Sequence, residues 1–155
     1  MSLKDQLTAD LRDAMRASDD TRKSTLRMLI AAIRNAEIPP EGAAGAGRTE
    51  LDDEGVLNVV RKEVKQRRDS IEMYGKANRA DLVATEEAEV AVLLSYLPQQ
   101  MSRGEIEAVA RAIVQRLGAG GLSDKGKVMP AVMAELRGKA EGREINAVVT
   151  ELLGG

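Results

Sequence analysis

Leu97-Pro98-Gln99-Gln100-Met101-Ser102-Arg103-Gly104-Glu105 carries a helix stop and a helix start side by side. A residue that precedes proline is driven out of the helical region, so the segment before Pro98 ends there. Ser102 and Glu105 have the spacing of a capping box, in which hydroxyl and carboxylate satisfy reciprocal orphan amides of a new helix. Residues 98–101 therefore read as a linker between an N-terminal domain, residues 1–97, and a tail domain, residues 102–155.

Upstream of the linker, the apolar stripes have helical spacing and none alternates with a period of two. Leu3, Leu7, Leu11 and Met15, with Ala14 beside them, follow the candidate cap Ser2. Asp19-Asp20-Thr21 interrupts, and a second helix runs through Leu26, Leu29, Ile30 and Ile33 to end before Ile38-Pro39-Pro40. Glu41 to Arg48, rich in Gly and Ala without an apolar period, reads as a surface loop. Asp52 caps a third helix through Val56, Leu57, Val60, Val64 and Ile71 to Tyr74-Gly75. Leu82, Val90, Leu93, Leu94 and Leu97 mark the fourth.

Downstream, Ile106, Val109, Ile113, Val114 and Leu117 make a fifth helix stopped by Gly118. Val128, Val132, Met133 and Leu136 make a sixth that ends at Gly138, and Ile145, Val148, Val149, Leu152 and Leu153 a seventh. Pro130 is awkward in the sixth, since it lacks a donor and crowds the carbonyl four residues back; a helix that starts near Lys127 relieves it. The expected fold is all-α, a four-helix N-terminal domain followed by a small three-helix tail domain.

The 155 residues contain no Cys, His, Phe or Trp and two Tyr. The core is therefore aliphatic, and disulfides, thiolate sites and cysteine nucleophiles are excluded. Without His, the commonest acid–base residue near neutral pH and the commonest metal ligand are missing. The net charge of −2 argues against bulk attraction to nucleic acid or anionic lipid, although the tail has a slight excess of basic side chains. No run approaches the length of a membrane span, and no apolar leader opens the chain. These features predict a cytoplasmic protein with no cofactor, no metal, no catalytic residue, and neither membrane nor DNA as a partner.

Two basic surfaces stand out. On the third helix Arg61, Lys65 and Arg68 share one face, at i, i+4 and i+7, and such a stripe can follow a phosphate backbone. The alternative is a solvated face laced with ion pairs, Lys65 to Asp69 and Arg68 to Glu72, each at i+4. In the tail, Arg137, Lys139 and Arg143 flank Gly138 and Gly142, with Lys125 and Lys127 upstream. Glycines permit positive φ and close approach, and the amides that open the seventh helix suit a phosphate. The alternative is that Gly138 is a helix C-cap, Gly142 a turn residue, and the charges simply solvated. Gly118 to Lys127 lacks the G-x-x-x-x-G-K-[ST] spacing of a phosphate-binding loop, and no strand precedes it. Asp52-Asp53-Glu54 and Glu86-Glu87-Glu89 need only helix-dipole and solvation roles. With only Tyr74 and Tyr96 to stack on bases, any RNA binding reads folded shape and backbone.

Longer segments carry a resemblance. Gly126, Lys127, Val128, Met129, Leu136, Gly138, Lys139, Ala140, Gly142, Asn146, Val149 and Leu152 fit the tail pattern of the YqeY family. That pattern is shared with the B subunit of the glutamine-dependent aspartyl/glutamyl-tRNA amidotransferase. Thr25-Leu26-Arg27 through Glu37-Ile38, Lys62…Lys65-Gln66-Arg67…Asp69-Ser70, and Arg79-Ala80-Asp81-Leu82…Tyr96-Leu97-Pro98 resemble the family's N-terminal segments. The chain departs from it at Gly55, where the family's acidic residue would strengthen the first turn of the third helix and glycine makes a weak point, at Pro130 and in the length of the Glu41–Arg48 loop. In the related amidotransferase subunit the tail meets the outer corner of tRNA. The resemblance thus implies a non-catalytic RNA-binding accessory with folded tRNA as ligand, its link to glutamine-dependent carbon–nitrogen ligation inherited rather than performed. The alternative is a protein-interaction module that docks on an aminoacyl-tRNA synthetase or another translation factor. A free-standing enzyme using carboxylate or lysine chemistry is the third reading.

Overall fold

The computed structural model describes residues 1–39, 47–98 and 100–154. Among them every regular element is helical: α1 (Leu3–Arg16), α2 (Asp20–Ala36), α3 (Asp53–Lys76), α4 (Ala80–Leu94), α5 (Arg103–Leu117), α6 (Lys125–Glu135) and α7 (Gly142–Gly154), with one 3-10 turn at Leu122–Asp124. The chain forms two compact units, Met1–Leu97 and Pro98–Gly155. The loop expected at Glu41–Arg48 lies, through Ala46, outside the described residues, as does Gln99 of the linker.

Caps fix the helix starts. The Ser2 hydroxyl accepts the Asp5 amide at 3.1 Å and the Asp5 carboxylate accepts the Ser2 amide at 3.3 Å, a complete capping box. The box expected at Ser102 is one-sided. Its hydroxyl accepts the Glu105 amide at 3.2 Å, but the Glu105 carboxylate accepts the hydroxyl itself at 3.1 Å. Gly55 is not a weak point, because the Asp52 carboxylate accepts its amide at 2.8 Å. A Cβ at Gly55 would stand 3.2 Å from the Leu51 side chain. Glycine thus lets Leu51 lie against the first turn and pack, with Val56, into the core, as in a hydrophobic staple.

The first core gathers Leu7, Leu26, Leu29, Ile33, Val56, Val60, Val64, Val90 and Leu93 from α1 to α4. Met15 is not part of it and is 49% exposed. Steps of four residues overshoot a 3.6-residue turn by about 40° each, so the stripe drifts off the buried face and Ala14 replaces Met15 there. The second core gathers Ile106, Ala110, Ile113, Val128, Val132, Leu136, Ile145, Val148 and Val149 from α5 to α7. Each large aliphatic side chain so buried contributes about 1.5–3 kcal/mol of transfer free energy.

Gly118, with φ at 65°, closes α5 in the left-handed conformation. Pro130 lies inside α6, which starts at Lys125, earlier than expected. It is tolerated because Pro130 and Gly126 are both exposed, so water can serve the carbonyl that the proline leaves unpaired. The Lys127 ammonium donates to the Leu117 carbonyl at 3.3 Å, and the Met101 amide donates to the Lys139 carbonyl at 2.8 Å. These two bonds join opposite ends of α5 and α6, which therefore run antiparallel.

Candidate nucleic-acid interface

The tail turn is built by the end of α6. Leu136 is its C-cap, and Gly138, two residues on, adopts φ of 77°, which only glycine takes without strain. The Lys139 amide donates to the Leu136 carbonyl at 2.8 Å, while the Lys139 carbonyl receives Met101. The turn's backbone is thus anchored on both sides, and the Lys139 amide is not open to a phosphate. Arg137 and Lys139 are exposed, and among the described residues neither closes an ion pair. Arg143 has partners of its own. The expectation of positive φ at Gly142 is corrected: Gly142 is the first residue of α7, and a Cβ there would make only an ordinary 3.7 Å contact with the Met133 methyl.

Lys125 and Lys127 do not join this turn. They lie in the first turn of α6, the full length of its 11 residues away, about 16 Å. Lys127 is there committed to the end of α5, where a cation meets the negative end of the helix dipole. The sequence grouping of Lys125, Lys127, Arg137, Gly138, Lys139, Gly142 and Arg143 as one surface is therefore divided between two ends of the tail. Arg116, exposed in the last turn of α5, shares the Lys125 end; a basic residue just before a capping glycine was its available signal.

On α3, two of the three stripe cations close ion pairs within the helix. Arg61 donates to Glu54 at 3.1 Å and to Asn58 at 2.7 Å, Lys65 lies 3.5 Å from Asp69, and Arg68 is also partnered.

The residue of α3 that sequence reasoning passed over is Arg67. It is 5% exposed. Its guanidinium donates to the Glu63 carboxylate at 2.7 Å, the Glu63 carbonyl at 3.2 Å and the Glu89 carboxylate at 3.2 Å, and lies 3.8 Å from the Met28 sulfur. It therefore links α3 to α4 and reaches α2. Burial, then repulsion from Glu89, pushes the nearby Glu86 carboxyl up, with Arg67 acting the other way. The signal was its place, three residues after Val64, in the buried stripe Val56, Val60, Val64.

Tyr96 anchors the end of the first unit: its hydroxyl donates to Asp10 at 2.7 Å. Burial, and then the bond to Asp10, pushes the phenol up to about 12. Among the described residues no group of three or more carboxylates is arranged to hold a metal ion, and no helix is long and apolar enough to cross a membrane.

A sequence model of the family described as Yqey-like protein matches residues 4–153. A protein of Lachancea thermotolerans named altered inheritance of mitochondria protein 41, mitochondrial, is 40% identical over 105 residues, 68% of this chain and 53% of the relative. Its namesake in Pyrenophora tritici-repentis is 29% identical over 152 residues, covering 96% of this chain and 80% of the relative. A Saccharomyces cerevisiae relative of the same name is 32% identical over 101 residues, 65% of this chain and 51% of its own. The chain thus spans about half the length of several curated relatives it matches. Their names overturn the cytoplasmic expectation, since these relatives are mitochondrial proteins. The absence of Cys rules out disulfide and thiolate chemistry, but it does not choose a compartment. A match over nearly its whole length, carried by the motifs of both halves, makes this chain a member of the YqeY family.

Proposed function

We propose that this protein is a non-catalytic RNA-binding accessory, with folded tRNA as its ligand and a kinship to tRNA-dependent amidotransferase as its context. The observation that carries the reading is the anchored turn around Gly138. Two exposed cations, Arg137 and Lys139, project from a backbone held by Leu136 and Met101, and within the described residues neither has an ion-pair partner. Cations on a rigid turn meet phosphate with little ordering cost. A mitochondrial setting, taken from the names of the relatives, replaces the cytoplasmic one.

The test is the salt dependence of binding to a folded tRNA. Each phosphate contact contributes about −0.7 to −0.9 to the log–log slope. Arg137→Ala with Lys139→Ala should flatten that slope by up to about two contacts and leave the helical spectrum unchanged. An unaltered slope counts against the turn. The second reading is a protein-interaction module for an aminoacyl-tRNA synthetase or translation factor. It is favoured by the net charge of −2 and by the internal pairing of the α3 stripe, which leave few cations for RNA. Absence of tRNA binding near physiological salt would put it first.

A further inference from the structure

A cavity of about 230 Å³ opens in the first unit between α1, the end of α2 and the segment that leads into α3. Ile30, half-buried, supplies its apolar side, with the core residues Leu7 and Ile33 behind it. Glu37 stands on the polar side, 4% exposed. Its carboxylate accepts from the Lys4 ammonium at 2.5 Å and from the Leu51 amide at 2.9 Å, while its carbonyl accepts the Thr49 amide at 3.1 Å. The Lys4 bond first, then the Leu51 amide, holds the Glu37 carboxyl below the usual carboxylate range. The exposed Glu50 carboxylate lies 3.7 Å from the same ammonium. Both carboxylates of the wall are therefore turned to Lys4.

Arg34, nearly one turn before Glu37, and Arg48 complete the lining. Both are exposed, and among the described residues neither closes an ion pair. Three cations face two carboxylates, which leaves an excess of positive charge beside an aliphatic floor. Such a lining complements a molecule with an anionic end and an apolar remainder. Guanidinium groups take carboxylate and phosphate oxygens through paired N–H donors. At about 30 Å³ per water-sized group the space admits on the order of eight such groups.

We propose that this cavity binds a small organic oxyanion, a carboxylate or phosphate on a short aliphatic chain. Arg34 and Arg48 receive the oxyanion, and Ile30, backed by the core residues Leu7 and Ile33, receives the chain. The site lies in the first unit and does not depend on the tail turn or on RNA binding.

The full chain would be titrated with butyrate, with propyl phosphate and with inorganic phosphate, using sodium chloride at matched ionic strength as the control. The Leu51 amide and the Ile30 and Ile33 methyl resonances report on the cavity. Butyrate or propyl phosphate should saturate with a dissociation constant of about 1 mM or tighter. Whichever of the two binds more tightly identifies the headgroup. Arg34→Gln with Arg48→Gln should weaken that binding at least about tenfold, without unfolding, because both side chains are exposed. Shifts that do not saturate by about 10 mM, or equal affinity in the double variant, overturn the proposal. Inorganic phosphate binding as tightly as propyl phosphate contradicts the role given to the aliphatic floor.

Discussion

The two units of this protein treat charge differently. The first buries it: Glu37 and Arg67, 4% and 5% exposed, lie at its core margins. Its Tyr96 hydroxyl is also tied to Asp10. In the second, every fully buried residue described is aliphatic, and its pairs, Arg103 with Glu151 and Arg111 with Glu107, stay near solvent. Buried charge is demanding of geometry, so in the first unit it fixes how helices register against one another. Exposed charge contributes little to stability, so in the second unit it is available for a partner. Changes to charged side chains in the two units should therefore have different consequences for stability.

The largest effect is expected at Arg67. Arg67→Ala leaves Glu63 and Glu89 facing each other without a cation and should cost about 3–5 kcal/mol in denaturant unfolding. Glu63→Gln and Glu89→Gln in the same chain should recover part of that loss. In the second unit the comparable loss comes from an aliphatic side chain instead: Ile145→Ala should cost about 2–5 kcal/mol. Little change on Arg67→Ala would break the contrast between the units.

A middle-sized effect is expected with pH. Glu37 has a lowered pKa, so its contribution is present above its ordinary value of 4.5 and is lost as pH falls through the folded value. Tyr96 has a raised pKa, so its contribution is present below its ordinary value of 10.0 and is lost as pH rises toward about 12. In a Tyr74→Phe chain the remaining phenol should therefore titrate near 12 by ultraviolet absorbance. Titration near 10.0 would show that the Asp10 contact does not hold in solution. The Glu37→Gln chain should lose stability more gently than wild type as acid is added.

The smallest effect is expected at the caps. Ser2→Ala removes one bond of its box, because the backbone amide of residue 2 still donates to Asp5, whereas Ser102→Ala removes both the acceptor of the Glu105 amide and the donor to the Glu105 carboxylate. Each should cost about 1 kcal/mol, with Ser102 the larger of the two by thermal unfolding. The reverse order would show that the bond from the Ser102 hydroxyl to the Glu105 carboxylate adds little to its helix start.

The all-helical class was legible because aliphatic stripes, serine and aspartate caps, and glycine or proline stops agree along the chain. Where the reading slipped, a side chain's role depended on contacts that spacing alone does not reveal. Arg67 occupies a stripe position, but nothing in α3 alone shows that Glu89 of α4 closes over it. Glu37 looks like an ordinary helix-end acid until Lys4 of α1 and the Leu51 amide are brought to it. In the tail, basic residues close in sequence were read as close in space. The length of α6 separates Lys125 and Lys127 from Arg137 and Lys139, and Lys127 turns out to cap α5.

The central claim is that the tail turn, rather than the α3 stripe, meets folded tRNA. It is tested most directly by comparing the affinities of three chains for one folded tRNA at near-physiological salt. These are wild type, Arg137→Ala with Lys139→Ala, and Arg61→Ala with Lys65→Ala and Arg68→Ala. The account predicts that the tail variant loses affinity several-fold or more and that the stripe variant stays close to wild type, because the stripe's charges already serve their own helix. Loss in the stripe variant with the tail variant unchanged would contradict it.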